Sequence, residues 1–166
     1  MNMLSLQNLS SGEILKVIED YMWKARLACV EEHKAQDTQT SSFGFSFGKV
    51  CAIPKIKFVV LKNGYETHTF ELSVQASENH YCNPRKNLQK VYEDVEIGFP
   101  NFNFSEGFIN KYAEDVENPQ DTVYGFVPLK LLALELYNLI KNQQGEQIMN
   151  IEQQKQTAKK VLSKIK

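Results

Sequence analysis

The residue types best suited to chemistry in this chain are three cysteines and three histidines, and one subset of them has ligand-like spacing. Cys29 and His33 stand four apart, which on a helix puts both on one side, and His80-x-Cys82 could complete a Cys2His2 zinc set from a loop. Two features weigh against that reading. A one-residue gap between His80 and Cys82 is unusual for zinc, and Cys29 falls on the face with which its helix should pack. The same side chains would have to serve a thiol enzyme, with Cys29, Cys51 or Cys82 activated by His33, His68 or His80. No glycine-flanked nucleophile turn, phosphate-cradling loop or HExxH helix accompanies them. His68 reads instead as a histidine at the edge of a sheet core. The chain is therefore expected to be non-enzymatic and to hold no metal or cofactor.

Charge offers a second kind of chemistry. Residues 93–121 carry a net −7, whereas the last twelve residues hold five lysines, Lys155, Lys159, Lys160, Lys164 and Lys166, and no acid. Such a tail suits a nucleic-acid backbone or an anionic surface, although without arginine or aromatics it is poorly equipped to read bases. The plainer reading, and the one preferred, is a solvated terminal helix that its lysines keep soluble, with docking on the protein's own acidic region as a further option. Clusters such as Glu114, Asp115 and Glu117 read as solvated faces.

What must position these groups follows from hydrophobic periodicity. Residues Val127–Lys141 contain six leucines. Wound as a helix, with Pro128 at its first position, they place Leu129, Leu132, Ala133, Leu136, Tyr137, Leu139 and Ile140 on one face and leave Leu131 and Leu134 in the polar arc. A helix near the N-terminus starts at a capping box, Ser10 with Glu13, and runs to about Lys34. Its main apolar face is Ile14, Val17, Ile18, Tyr21, Met22, Ala25, Ala28 and Cys29. Trp23, Leu27 and Val30 form a second stripe beside Lys16, Glu19 and Arg26.

Between these helices the pattern turns to period two. Phe43, Phe45 and Phe47 alternate with small residues, and two β-rich runs flank Asn63-Gly64. A three-residue loop, Lys62-Asn63-Gly64, is expected to close the hairpin as a bulge, pairing Ile56 with Phe70, Phe58 with His68 and Ala52 with Val74. That register sets Lys55 opposite Glu71 and Lys57 opposite Thr69. Residues 76–87 read as a loop, residues 88–99 as a twisted strand, and Phe99–Phe104 as an aromatic loop. Ser105 should cap a short helix through Phe108, Ile109, Tyr112 and Val116 that Asn118-Pro119 ends, and Thr122–Phe126 reads as a strand.

The whole is expected to be α+β: one domain over residues 1–144 and an appended amphipathic basic helix over 145–166, whose seam is Ile148, Ile151, Leu162 and Ile165. A hydrophobic content of 42%, a charged content of 23% and a net charge of −1 fit a globular protein without a general affinity for polyanions. The N-terminus has no signal-peptide pattern and no apolar run approaches the length of a membrane span. With an odd number of cysteines, free thiols in the cytoplasm are the expectation.

Function, on this reading, lies in spare apolar surface. Trp23, Leu27 and Val30, Leu131 and Leu134, and the tail seam are the expected interface with another protein or a second copy of the chain. The expected role is adaptor, inhibitor or assembly component, with nucleic-acid or anionic-surface binding through the tail lysines as the alternative and a thiol- or metal-dependent enzyme as the third.

Overall fold

The computed structural model describes residues 4–6, 8–37, 53–62 and 65–143. The Phe43–Phe47 pattern, Cys51, the Asn63-Gly64 turn and the whole tail from residue 145 lie outside them. In chain order the elements are β1 (Leu4–Ser5), α1 (Ser11–Asp37), β2 (Ile56–Lys62), β3 (Tyr65–Gln75), β4 (Asp94–Gly98), α2 (Glu106–Tyr112) and β5 (Val123–Pro128). A third helix, α3, follows at residues 129–143. The fold is α+β, as the periodicity implies. The strands lie side by side in chain order, β2 to β5 antiparallel, with the two-residue β1 parallel to β2 at the edge.

The capping box forms as expected. Glu13 Oε2 accepts from the Ser10 N–H at 2.8 Å and from its hydroxyl at 2.7 Å, while the Glu13 N–H donates to Ser10 Oγ at 3.3 Å. Those bonds hold the Glu13 carboxyl below its ordinary range, the Ser10 side chain contributing most. From there Ile14, Ile18 and Met22 are buried along α1, each worth about 1.5–3 kcal/mol of transfer free energy. On α3 the buried set is Leu129, Leu132, Ala133, Leu136 and Ile140, with Tyr137 and Leu139 packed beside it, which is the face the 3.6-residue period picks out. These stripes join Phe58, Phe70, Leu72, Val74, Ile97 and Tyr124 of the sheet in one core.

Several local expectations are corrected. The hairpin register is Ile56 with Leu72, Lys57 with Glu71, Phe58 with Phe70 and Val60 with His68, then Leu61 with Glu66 and Lys62 with Tyr65. A bulge therefore lies inside β3, at the extra residue Thr67, and Lys62 pairs in the ladder instead of belonging to a three-residue loop. Together these shift the ladder by two positions but keep the same residues on the same faces, because a shift of two preserves the pleat. It also stacks Phe58 on Phe70, with ring centroids 5.2 Å apart, and brings Glu71 to 2.8 Å from Lys57 and 3.7 Å from Lys55. Pro128 ends β5 instead of opening the helix.

Ser105 stands at the N-terminus of α2 but makes no side-chain cap. Its hydroxyl donates to Glu135 Oε1 at 2.9 Å, tying α2 to α3 instead. Helix α2 stops at Tyr112, six residues before Asn118, so Val116 is exposed on the loop beyond it. In residues 88–99 only Asp94–Gly98 is strand; Leu88 and Phe99 have left-handed backbones (φ 54° and 49°) and, with Val91, are exposed.

The aromatic loop closes the core. Phe102 meets Phe58 and Phe70 edge-on, Phe104 lies 5.0 Å from Phe102 and stacks at 4.3 Å on Phe108, and Tyr124 packs beneath both. Tyr124 is fully buried and its hydroxyl donates to Pro119 O at 2.6 Å. Burial pushes its pKa up to about 12.

Candidate interaction surface

Strands β4 and β5 do not form a regular ladder. Val95 pairs with Val127 and Ile97 with Tyr124, so Gly125 and Phe126 together oppose the single residue Glu96. This β-bulge turns Phe126 into the left-handed region, φ 50°, where a bulky side chain rarely sits. Its N–H leaves the ladder and donates to Tyr81 O at 2.9 Å, from a loop that crosses the bulge. Tyr81 is fixed in turn, because its own N–H donates to Glu96 Oε2 at 2.9 Å. Gly125 permits the crossing: a Cβ there would stand 3.3 Å from Tyr81 Cβ, tighter than the packing readily allows. The outcome is two aromatic rings with centroids 5.8 Å apart, Tyr81 43% and Phe126 47% exposed.

The loop beneath Tyr81 is braced from both sides. Asn83 forms an antiparallel bridge with Asp94, and its side-chain amide donates to Glu93 Oε2 at 2.9 Å. Further along, the Tyr92 hydroxyl donates to Lys86 O at 2.6 Å and accepts from Arg26 of α1, whose guanidinium carbon also lies 4.6 Å from the Tyr92 ring centroid. Arg26 is buried, contrary to its expected place on the polar side with Lys16 and Glu19. It continues the Ile14, Ile18, Met22 stripe by one more step of four, so its stem packs in line with them while its head reaches the loop.

Of the described thiol and imidazole groups, Cys29, Cys82 and His80 are engaged, while Cys51 and the His33 side chain lie outside that set. Cys29 is disulfide-bonded, which corrects the free-thiol reading for that residue and removes it as a zinc ligand or nucleophile in this state. Cys82 is a free, buried cysteine whose thiol donates to Ser77 O at 3.1 Å, and burial raises its pKa, keeping it protonated at neutral pH and weakly nucleophilic. His80 Nδ1 lies 2.6 Å from Ser77 Oγ. That is the contact a serine and its base would make, yet Ser77 is itself buried and also accepts the Asn79 N–H at 3.1 Å, so the pair closes a tight turn. Among the described residues no group of three or more His, Cys, Asp or Glu side chains is placed to hold a metal ion. His68 is exposed and stacks on Phe70 at 6.2 Å.

Of the acidic cluster, Asp115 is engaged in local structure. Asp115 accepts from the Asn118 side chain at 2.8 Å and from the N–H groups of Glu117 and Asn118, which lowers its pKa, the Asn118 side chain most. Asp94 is shifted upward by burial, with the neighbouring Glu93 adding to it.

The residues expected to form an interface divide. Leu27 and Leu134 are 39% and 43% exposed, on different helices. Val30 is half-buried, and Leu131 is half-buried against the core. Trp23 is half-buried too and forms one wall of a recess of about 10 Å³ shared with Met22, Arg26, Tyr92 and Leu129. Ile148, Ile151, Leu162, Ile165 and the five tail lysines lie outside the described residues. The Tyr81 and Phe126 pair was not anticipated, although a glycine inside the strand pattern Val123-Tyr124-Gly125-Phe126 is the signal that marks a bulge or a close backbone approach. No helix among the described residues is long and apolar enough to cross a membrane. Comparison with protein families, with curated proteins and with solved structures found no match to this chain.

Proposed function

We propose that the protein is a non-enzymatic binding module, an adaptor, inhibitor or assembly component, whose docking element is the Tyr81 and Phe126 pair. The observation that supports this most is the fixed pairing: Leu88 and Phe99 are also exposed on left-handed backbones, at about 1–2 kcal/mol each, but among the described residues only Phe126 of the three stands in ring contact with a second exposed aromatic. Bulges are favoured where a side chain must be re-aimed, and strain of this kind gathers at binding surfaces. Three constraints converge on the pair: the Phe126 N–H on Tyr81 O, the Tyr81 N–H on Glu96, and the bare Gly125 beneath. Two aromatics fixed before contact lose little rotamer freedom on docking, which is the property of an anchor. By contrast Leu27 and Leu134 are single exposed leucines of the sort any surface carries. The partner is a protein offering an apolar pocket, a second copy of the chain included.

Hydroxyl-radical footprinting of the full chain, alone and in an extract of the cells that make it, tests the proposal. Oxidation of Tyr81 and Phe126 should fall in the extract, while that of Leu88 and Val91, 47% and 59% exposed, stays as it is in the isolated chain. Unchanged oxidation of Tyr81 and Phe126 between the two samples would remove the basis for the assignment.

A further inference from the structure

A second site lies away from the bulge, where the aromatic loop faces α3. A groove of about 440 Å³ opens there, lined by Phe102, Asn103, Phe104, Ser105, Glu135, Asn138, Leu139 and Asn142. Its volume is in the range of sites that hold small ligands or short peptides. Part of the polar lining is already paired. Glu135 takes the Ser105 hydroxyl and N–H, and Asn103 Oδ1 accepts from Gln120 at 3.0 Å. Asn138 and Asn142 are different: both are exposed, and among the described residues neither side-chain amide has a partner.

The chemistry of this lining narrows the ligand. No lysine or arginine borders the groove and Glu135 does, so an anion meets only a carboxylate. A sugar ring would need an open aromatic face to stack on, and Phe102 and Phe104 are each only 7% exposed. A cation finds no free carboxylate either, since Glu135 spends both oxygens on Ser105, which leaves a neutral ligand that both donates and accepts hydrogen bonds. Asn138 and Asn142 are one helical turn apart, about 6 Å along the axis. In an extended chain, every second residue presents its N–H and C=O to the same side, at about 6.6–6.8 Å. A primary amide can accept one main-chain N–H and donate to one C=O. We propose that this groove binds an extended peptide segment, Asn138 and Asn142 each bracketing one alternate residue of its main chain, with Leu139 contacting an intervening side chain. The site is separate from the Tyr81 and Phe126 pair and stands or falls without it.

The test uses the full-length protein labelled with ¹⁵N and two neutral probes, a blocked tetra-alanine peptide and maltose, followed on the side-chain amide resonances of Asn138 and Asn142. The peptide should shift both pairs of signals saturably while maltose leaves them in place. Asn138→Ala should weaken peptide binding about fivefold to tenfold, as the loss of a bracketing pair implies, and Asn142→Ala likewise. Because both side chains are exposed, thermal unfolding of the variants should match that of the parent, so a loss of binding cannot be put down to misfolding. Unmoved amide signals at saturating peptide, a response to maltose in place of the peptide, or unchanged binding by the double variant would each overturn the proposal.

Discussion

Replacing Phe126 by glycine separates the demands of folding from those of docking. In the folded protein the substitution relieves a left-handed backbone worth about 1–2 kcal/mol to a non-glycine residue. Against this stand the extra backbone entropy that glycine loses, about 0.5–1 kcal/mol, and the lost ring contact with Tyr81, about 0.5–1.5 kcal/mol. The ring is nearly half exposed, so it forfeits only part of a buried phenylalanine's transfer free energy. The losses exceed the relief by roughly 1–2 kcal/mol, and urea unfolding of Phe126→Gly should show a destabilisation of that size. Phe58→Ala, by comparison, empties a fully buried position and should cost about 3–5 kcal/mol. Partner binding should respond in the opposite order, weakening by at least about 2 kcal/mol for Phe126→Gly, as loss of an anchor residue does. A Phe126→Gly protein as destabilised as Phe58→Ala would make the ring a core residue, and undiminished binding would leave the strain without a purpose.

Further predictions rest on other parts of the structure. Gly125→Ala puts a methyl group against Tyr81 and should displace that ring, seen as a changed Tyr81 to Phe126 cross-peak in the NOESY spectrum of the full chain. Tyr124→Phe removes the hydrogen bond to Pro119 O and should lower stability by about 0.5–1.5 kcal/mol in urea unfolding; alkaline absorbance titration of the parent should show one tyrosine ionising near pH 12. Burial holds the His80 pKa below its ordinary value, with Arg26 acting in the same direction and Glu96 opposing. Protons therefore bind the unfolded chain first, and stability should fall as pH drops below about 6.5. His80→Gln should flatten that part of the melting-temperature profile. Light scattering of the full chain beside one ending at Gln144 measures whether the residues beyond it drive assembly, with a fall in mass expected if they do.

What the sequence made legible was what repeats. The α3 stripe, the Ser10 and Glu13 box and the pairing of β2 with β3 are found in place, and the α1 stripe is found in its first half, at Ile14, Ile18 and Met22, while Ala28, expected on the same face, is exposed. Single-residue irregularities were harder to see. A bulge at Thr67 or at Gly125-Phe126 leaves composition and face assignment intact while changing which residues meet, so pattern alone cannot place it. Arg26 was misassigned for a related reason: its charge suggests solvent, but its position continues the buried stripe and its partner, Tyr92, is 66 residues away. Ser105 shows the same limit, since its hydroxyl prefers a carboxylate on α3 to the helix end beside it. The candidate surface depends on such irregularities, which is why the search for spare apolar stripes led to Trp23 and Leu134 and passed over Phe126.

The most direct measurement places a photo-crosslinking benzoylphenylalanine at Phe126 of the full chain, keeping an aromatic ring at the bulge, and irradiates it in an extract of the producing cells with unlabelled competitor added. Wild-type competitor should abolish a discrete adduct, and Phe126→Gly competitor at the same concentration should leave it intact. No adduct, or equal competition by both, would contradict the assignment of the Tyr81 and Phe126 pair as the docking element.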